Sequence, residues 1–161
     1  MGSVSGRRGR DIRDRLASAK RLCLDTNVLI YHLNRTQPYF EVVEELLMAV
    51  RDGLKVAFVS VVTELELLVQ PIQRERPWEI ERIKAVLEAP QIQVIEMDRN
   101  IAQRAAEIRA HRHLALADAT IIATGIVAGC DAVVGNDERC AQRVREIPYV
   151  HLDALVKELQ S

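Results

Sequence analysis

Apolar residues recur along the chain with two different spacings, and the two spacings alternate. Short apolar runs bounded by polar or turn-forming residues predict buried strands at residues 22–24, 55–59, 92–95, 132–134 and 149–150. Apolar residues three or four positions apart predict helices at residues 28–34, 40–51, 61–69, 77–88, 99–111, 117–128, 137–145 and 152–159. Ser60 is expected to cap the third of these helices, and Pro71 to stop it.

This alternation predicts parallel strands, because a helix that crosses the sheet returns the chain to the edge where the previous strand began. The expected fold class is α/β: a three-layer α/β/α sandwich around a central, mainly parallel sheet of four or five strands. No repeat or linker divides the chain, so residues 21–161 are expected to form one domain after a flexible basic leader at residues 1–20. In such sheets, ligands bind beyond the carboxyl ends of the strands.

Composition and charge exclude several other classes of protein. Aromatic residues make up only 4% of the chain, which argues against a platform that stacks nucleic-acid bases. The three cysteines have no CxxC spacing, so neither a disulfide framework nor a zinc site is expected. No apolar run approaches the roughly 20 residues of a membrane span. The basic N-terminus also lacks the apolar segment of a secretory signal, so a cytoplasmic protein without membrane attachment is expected.

The net charge of −1 is unevenly distributed along the chain. Residues 1–21 carry seven basic and two acidic side chains, which leaves the other 140 residues with a net charge of −6. A basic arm on an acidic body could hold a polyanion near the body. The alternative is a solvated leader, and that interpretation is favoured for residues 1–6.

Acidic residues stand at the ends of the predicted strands, and one opens the most apolar helix. Asp25 follows the first strand in the stretch RLCLDTNVLIYHL, Glu64 and Glu66 follow the second, and Asp137 follows the fourth. Asp118 opens the helix at residues 117–128. Each has an ordinary alternative, since aspartate is a common helix N-cap and a helical glutamate is commonly solvated.

Several acids at one edge of a sheet need a counter-charge. Two carboxylates about 4 Å apart repel by roughly 4 kcal/mol at an effective dielectric constant near 20. Oxygen ligands suit Mg²⁺ or Mn²⁺, and no loop for a nucleotide is present in the sequence. A carboxylate site of this kind indicates phosphodiester hydrolysis, in which the metal activates water and stabilises the leaving oxygen.

Four stretches resemble the PIN domain, in particular the VapC-type toxin ribonucleases of toxin–antitoxin pairs. They are LDTNVLIY at residues 24–31, VSVVTELELLVQP at 59–71, LALADATIIAT at 114–124 and VVGNDERC at 133–140. The resemblance extends over residues 21–150. It implies a Mg²⁺- or Mn²⁺-dependent endoribonuclease acting on single-stranded or structured RNA, a homodimer, and a cognate antitoxin protein that blocks the acidic pocket.

The resemblance also implies which residues form the site. Asp25, Glu66, Asp118 and Asp137 would be the catalytic and metal-binding acids, with Thr26, Asn27 and Asn136 in support. Glu66 is favoured over Glu64 because it stands six residues after Ser60 and three after Thr63, as the family pattern has it. The two glutamates lie about 200° apart around a helix, so only one of them is expected to face the metal.

Two departures from the family pattern leave other functions open. Gly135 stands where the family often has threonine, and Gln70-Pro71 where it often has glycine. The loss of a hydroxyl beside Asp137 could loosen a metal site. The alternative function is a catalytically weak PIN-like module that binds RNA or protein. A third interpretation, a phosphatase with Asp25 as nucleophile, is weakened by Asn27, since such enzymes usually resemble DxD.

Overall fold

The computed structural model describes residues 5–161, with side chains from Ile12 onward, and its five strands form one parallel sheet. The strand order is β3-β2-β1-β4-β5. The strands are β1 (Arg21–Leu24), β2 (Val56–Ser60), β3 (Ile92–Ile95), β4 (Ala132–Gly135) and β5 (Tyr149–His151). The predicted α/β sandwich with a parallel sheet is therefore confirmed.

Helices connect the strands and cover both faces of the sheet. Those before β3 are α1 (Ser5–Ser18), α2 (Thr26–Asn34), α3 (Phe40–Arg51), α4 (Val61–Gln73) and α5 (Pro77–Leu87). Those after β3 are α6 (Arg99–Arg112), α7 (Leu116–Val127), α8 (Glu138–Arg143) and α9 (Leu152–Leu159). Except for α1 and α4, these helices begin and end within two residues of their predicted positions.

Alternate residues of the central strands enter two separate cores. Leu22 and Leu24 of β1 pack with α2, α3 and α9, whereas Cys23 between them packs with α6 and α7. Because successive side chains of a strand point to opposite faces, a strand buried on both sides is apolar throughout. The sequence of β1 meets this requirement and places Asp25 at its carboxyl end.

Helix α4 extends beyond the predicted stop at Pro71, and this prediction was wrong. Pro71 lies inside the helix, which ends only at Gln73, and its side chain is buried. A proline inside a helix removes one backbone hydrogen bond. Pro71 lies in the last turn of α4, with only two helical residues after it. The tight packing of α4 against α5 accounts for the continuation.

The basic leader contains a helix, α1 (Ser5–Ser18), while residues 1–4 lie outside the described residues. The predicted flexibility of the leader and the domain boundary at residue 20 stay predictions. Ile12 and Leu16, one helical turn apart, pack against the core beside α9 and β5. Lys55 Nζ donates hydrogen bonds to two carbonyl oxygens in the last turn of α1, that of Leu16 at 2.6 Å and that of Ala17 at 3.4 Å. The apolar side of α1 was not predicted, because only Ile12 and Leu16 mark it among many basic residues.

All three cysteines are free thiols. Cys23 and Cys140 are buried free thiols, and Cys130 is a half-buried one. Among residues 5–161, no helix combines the length and the apolar character needed to cross a membrane. A cytoplasmic location stays a prediction.

Candidate active site

Four acids from four separate stretches lie at the carboxyl edge of the sheet, and we call them the acid cluster: Asp25, Glu66, Asp118 and Asp137. Asp25 directly follows β1, and Asp137 stands two residues after β4. Glu66 lies in the second turn of α4, the helix that begins directly after β2, and Asp118 lies in the first turn of α7. Asp25 is buried, with 7% exposure, Asp118 and Asp137 are half-buried, and Glu66 is exposed.

The charges of the acid cluster act on one another. Burial raises the pKa of Asp25 from 3.8 to about 7, and the charges of Asp118, Glu66 and Asp137 add to this shift. The pKa of Asp118 is raised as well, first by burial and then by Asp137 and Glu66. Each acid therefore lies within electrostatic reach of at least two others.

Two of the acids cap helices, and capping uses only one of the two carboxylate oxygens of each residue. Asp25 Oδ1 accepts a hydrogen bond from the backbone N–H of Thr26 at 2.7 Å, and Asp137 Oδ1 accepts one from that of Cys140 at 2.8 Å. In both residues the cap fixes one carboxylate oxygen and orients the other. Asp118 is no cap, because the N-cap position of α7 is Ala115.

A chain of hydroxyl groups holds Glu66 in place. Thr26 Oγ1 donates to Glu66 Oε1 at 2.6 Å and lies 3.1 Å from Thr63 Oγ1. Since a hydroxyl has a single proton to donate, Thr63 is the donor in the second bond. Glu64 instead lines a separate cavity beside Lys84, away from these contacts. The geometry therefore favours Glu66. Thr63, whose spacing from Glu66 led the sequence analysis to favour this glutamate, is a member of the same chain of hydroxyl groups.

The two asparagines differ in their contacts. Asn136 Nδ2 donates to Tyr31 Oη at 2.9 Å, and its Oδ1 accepts from the backbone N–H of Asp153 at 2.8 Å. Asn136 thus links the turn after β4 to α2 and caps α9, whose own N-cap residue makes no side-chain cap. Asn27 is half-buried in the first turn of α2.

Two side chains that the sequence analysis did not single out border the acids. The Tyr149 hydroxyl accepts a hydrogen bond from the backbone N–H of Asp137 at 3.1 Å. The pKa of Tyr149 is raised by burial and then by the charge of Asp25, and that of Cys140 by burial and then by Asp118 and Asp137. Both groups therefore remain protonated near neutral pH. Tyr149 lies outside the four motif stretches, and Cys140 ends the fourth of them without a spacing that would have marked it.

The acid cluster suits a hard divalent cation in its chemistry. Every donor would be a carboxylate oxygen, which is the ligand type that Mg²⁺ and Mn²⁺ prefer. In the part of the chain with described side chains, no three His, Cys, Asp or Glu groups are close enough to hold a metal ion as they stand. Direct binding of one cation by three of the acids would therefore require them to move closer together.

The surroundings of the acid cluster combine arginines with apolar surface. Arg139 is exposed, and its positive charge partly offsets the rise in the pKa of Asp118. Arg112 is held by Glu146 at 2.6 Å, and Arg143 donates to the carbonyl oxygen of His113 at 2.9 Å. Next to Glu66, a cavity of about 590 Å³ lies between α2, α4 and α5. Its lining includes Leu33, Leu65, Val69, Arg74, Arg76 and Arg82.

Fold and site together define an α/β protein with an acidic centre at the carboxyl edge of a parallel sheet. The sequence profile of the PIN domain family matches residues 22–147, which is most of the chain. The chain belongs to the PIN domain family, and the resemblance inferred from its motifs is confirmed. Helices α1 and α9 lie outside the matched region. No curated protein matches the chain.

Solved structures with the same fold include toxin–antitoxin proteins of several bacteria. VapBC2 from Rickettsia felis, bound to a promoter DNA fragment, is 13% identical, with a TM-score of 0.64 over 80% of this chain and 96% of that one. DNA-bound VapBC from Salmonella typhimurium is 22% identical, with a TM-score of 0.61 over 83% and 98%. VapC20 from Mycobacterium tuberculosis, a toxin that cleaves the sarcin–ricin loop, is 16% identical, with a TM-score of 0.61 over 79% and 98%. At these identities the likeness establishes the fold.

Proposed function

We propose that this protein is a Mg²⁺- or Mn²⁺-dependent endoribonuclease and the VapC-type toxin of a toxin–antitoxin pair. The observation that carries the proposal is the grouping of the acid cluster at one edge of the sheet, where the charges of its other members add to the raised pKa of Asp25 and Asp118. Repulsive carboxylates in a folded protein are commonly balanced by a metal. Membership of the PIN domain family supports the same chemistry.

In this proposal, each side chain has a separate task. Asp25, Glu66, Asp118 and Asp137 would bind the cation through their carboxylates. The Thr26 hydroxyl holds Glu66, and the helix caps of Asp25 and Asp137 limit the rotation of those two side chains. A bound divalent cation would supply an activated water and balance the charge that develops on the phosphate. No side chain serves as a covalent nucleophile.

The RNA substrate would approach an acidic edge, so nearby cations would have to bind its phosphates. Arg139 is the strongest candidate, because its charge already acts on Asp118. Arg35 and Arg99 are exposed as well, whereas Arg112 and Arg143 bond to protein groups. Phosphate contacts of this kind would make RNA affinity fall as salt concentration rises.

The proposed partners are a cognate antitoxin and a second copy of the chain. The antitoxin is supported by the structural neighbours, which include VapBC complexes, and by the cavity beside Glu66. Leu65 and Val69 are exposed at this cavity, and a partner segment bound there would bury them and cover Glu66. The homodimer rests on the family resemblance, and the mass of the purified protein in solution would test it.

The proposal predicts Mn²⁺-dependent cleavage of single-stranded RNA that depends on the cluster carboxylates. Asp25→Asn and Asp118→Asn are each expected to reduce cleavage more than about 100-fold, because residues that only orient metal ligands already contribute 10–100-fold. Cleavage is measured by gel at a fixed Mn²⁺ concentration and compared with the same reaction in EDTA. Asp52→Asn, at an exposed position after α3, is the matched control and should retain wild-type activity.

Identical residual cleavage by wild type and both variants would contradict the assignment of the acids. RNA binding without any Mn²⁺-dependent cleavage would instead favour the alternative function, a catalytically weak PIN-like module. The separation of the acids in the structure is the observation that keeps this second function in the test.

A further inference from the structure

The Tyr149 hydroxyl and the Asp25 carboxylate both border the space that Gly135 leaves by having no side chain. A Cβ atom on Gly135 would lie 2.3 Å from Tyr149 Oη and 2.9 Å from both Cβ and Oδ2 of Asp25. Real Cβ atoms essentially never approach other atoms to less than 3.0 Å. Glycine at this position is therefore a requirement of the surrounding side chains, and two of the groups around it belong to the acid cluster or bond to it.

In the part of the chain that the structure describes, the phenol proton of Tyr149 has no acceptor within hydrogen-bonding distance. Tyr149 Oη already accepts a hydrogen bond from the backbone N–H of Asp137. A phenol has one proton to donate, and a half-buried donor requires an acceptor. Asp25 Oδ1 accepts from Thr26, so Oδ2, which faces the space at Gly135, is the oxygen available on that side.

We propose that Tyr149 is a positioning residue of the acid cluster, with its hydroxyl bridging Asp137 N–H and Asp25 Oδ2. The bridge would connect the acid after β1 to the acid after β4 and hold both at the orientation that a cation needs. It also supplies a hydroxyl at the place where the absent side chain of residue 135 would lie. This inference rests on the proposed metal-dependent function and deepens it.

Tyr149→Phe tests the inference, because it removes only the hydroxyl and keeps the ring in the core. We expect Mn²⁺ affinity, measured by calorimetry without RNA, to fall about 10–100-fold, which is the effect of removing a group that orients a metal ligand. The rate of RNA cleavage at saturating RNA and fixed Mn²⁺ is expected to fall with it. Tyr39→Phe is the matched control, because its hydroxyl donates to Asp153 Oδ1 rather than to the acid cluster.

The outcomes separate the inference from the function on which it rests. Weaker Mn²⁺ binding by Tyr149→Phe, with Tyr39→Phe like wild type, supports the bridge. Wild-type Mn²⁺ affinity and cleavage in Tyr149→Phe overturn the inference and leave the proposed function intact. If wild type itself neither binds Mn²⁺ nor cleaves RNA, the proposed function fails and the inference fails with it.

A second measurement tests the shared space directly and does not depend on activity. Gly135→Ala is expected to lower the melting temperature strongly in wild type, since the new methyl group would lie 2.3 Å from Tyr149 Oη. The same substitution should cost less in the Tyr149→Phe background, where the nearest clashing atom has been removed. Equal losses of melting temperature in the two backgrounds would show that residue 135 and the Tyr149 hydroxyl do not compete for one space.

Discussion

Asp25→Asn is expected to stabilise the metal-free protein at pH 8 and to abolish its activity. The pKa of Asp25 is raised from 3.8 to about 7, mainly by burial and then by Asp118, Glu66 and Asp137. This difference corresponds to about 4 kcal/mol, by which ionising the buried carboxyl destabilises the fold. Asparagine is neutral, similar in shape and equally able to cap α2, so it would remove the repulsion and keep the cap.

The sign of the pH dependence follows from the direction of this shift. Because the folded state holds the Asp25 proton more tightly than the unfolded state does, the resulting stability is fully present below about pH 4. It is lost as the pH rises through about 7. Urea unfolding in EDTA should therefore show the largest advantage of Asp25→Asn over wild type at pH 8, and a smaller one at pH 4.5. An Asp25→Asn protein that is less stable than wild type at pH 8 would contradict the account.

Glu66→Gln is expected to reduce Mn²⁺-dependent RNA cleavage more than about 100-fold, and Glu64→Gln to leave it unchanged. Glutamine at position 66 can still accept the hydrogen bond from Thr26, so the substitution removes the charge and preserves the contact. Glu64 lies two residues away on the same helix and lines a different cavity, which makes it a matched control. Equal losses in both variants, or a loss only in Glu64→Gln, would show that the glutamate is wrongly assigned.

The fold was predictable because its main determinants are local. An apolar strand such as β1, with an acid directly after it, is typical of a sheet buried on both faces, and the helices have regular apolar spacing. Pro71 misled the prediction because the packing of α4 on α5 outweighs one lost hydrogen bond near a helix end. The docked part of α1 was missed since only Ile12 and Leu16 mark its apolar side.

The sequence pointed to the charged residues of the candidate site and left their role as a prediction. The resemblance to the PIN domain implied the four acids, while the residues themselves offered capping and metal binding as alternatives for Asp25 and Asp137. The structure shows that one carboxylate oxygen can cap while the other remains for a second partner. The contact of Tyr149 with the acids depends on the pairing of β5 with β4, a relation between distant segments that no local spacing encodes.

The measurement that tests the central claim most directly is a calorimetric titration of Mn²⁺ into wild type, Glu66→Gln, Asp118→Asn and Glu64→Gln. The account predicts that wild type and Glu64→Gln bind Mn²⁺ with equal affinity. It predicts that Glu66→Gln and Asp118→Asn bind it at least about tenfold more weakly, since each loses a charged ligand. Equal affinity in all four proteins, or no binding by wild type, would contradict the claim that the acid cluster is a divalent-cation site.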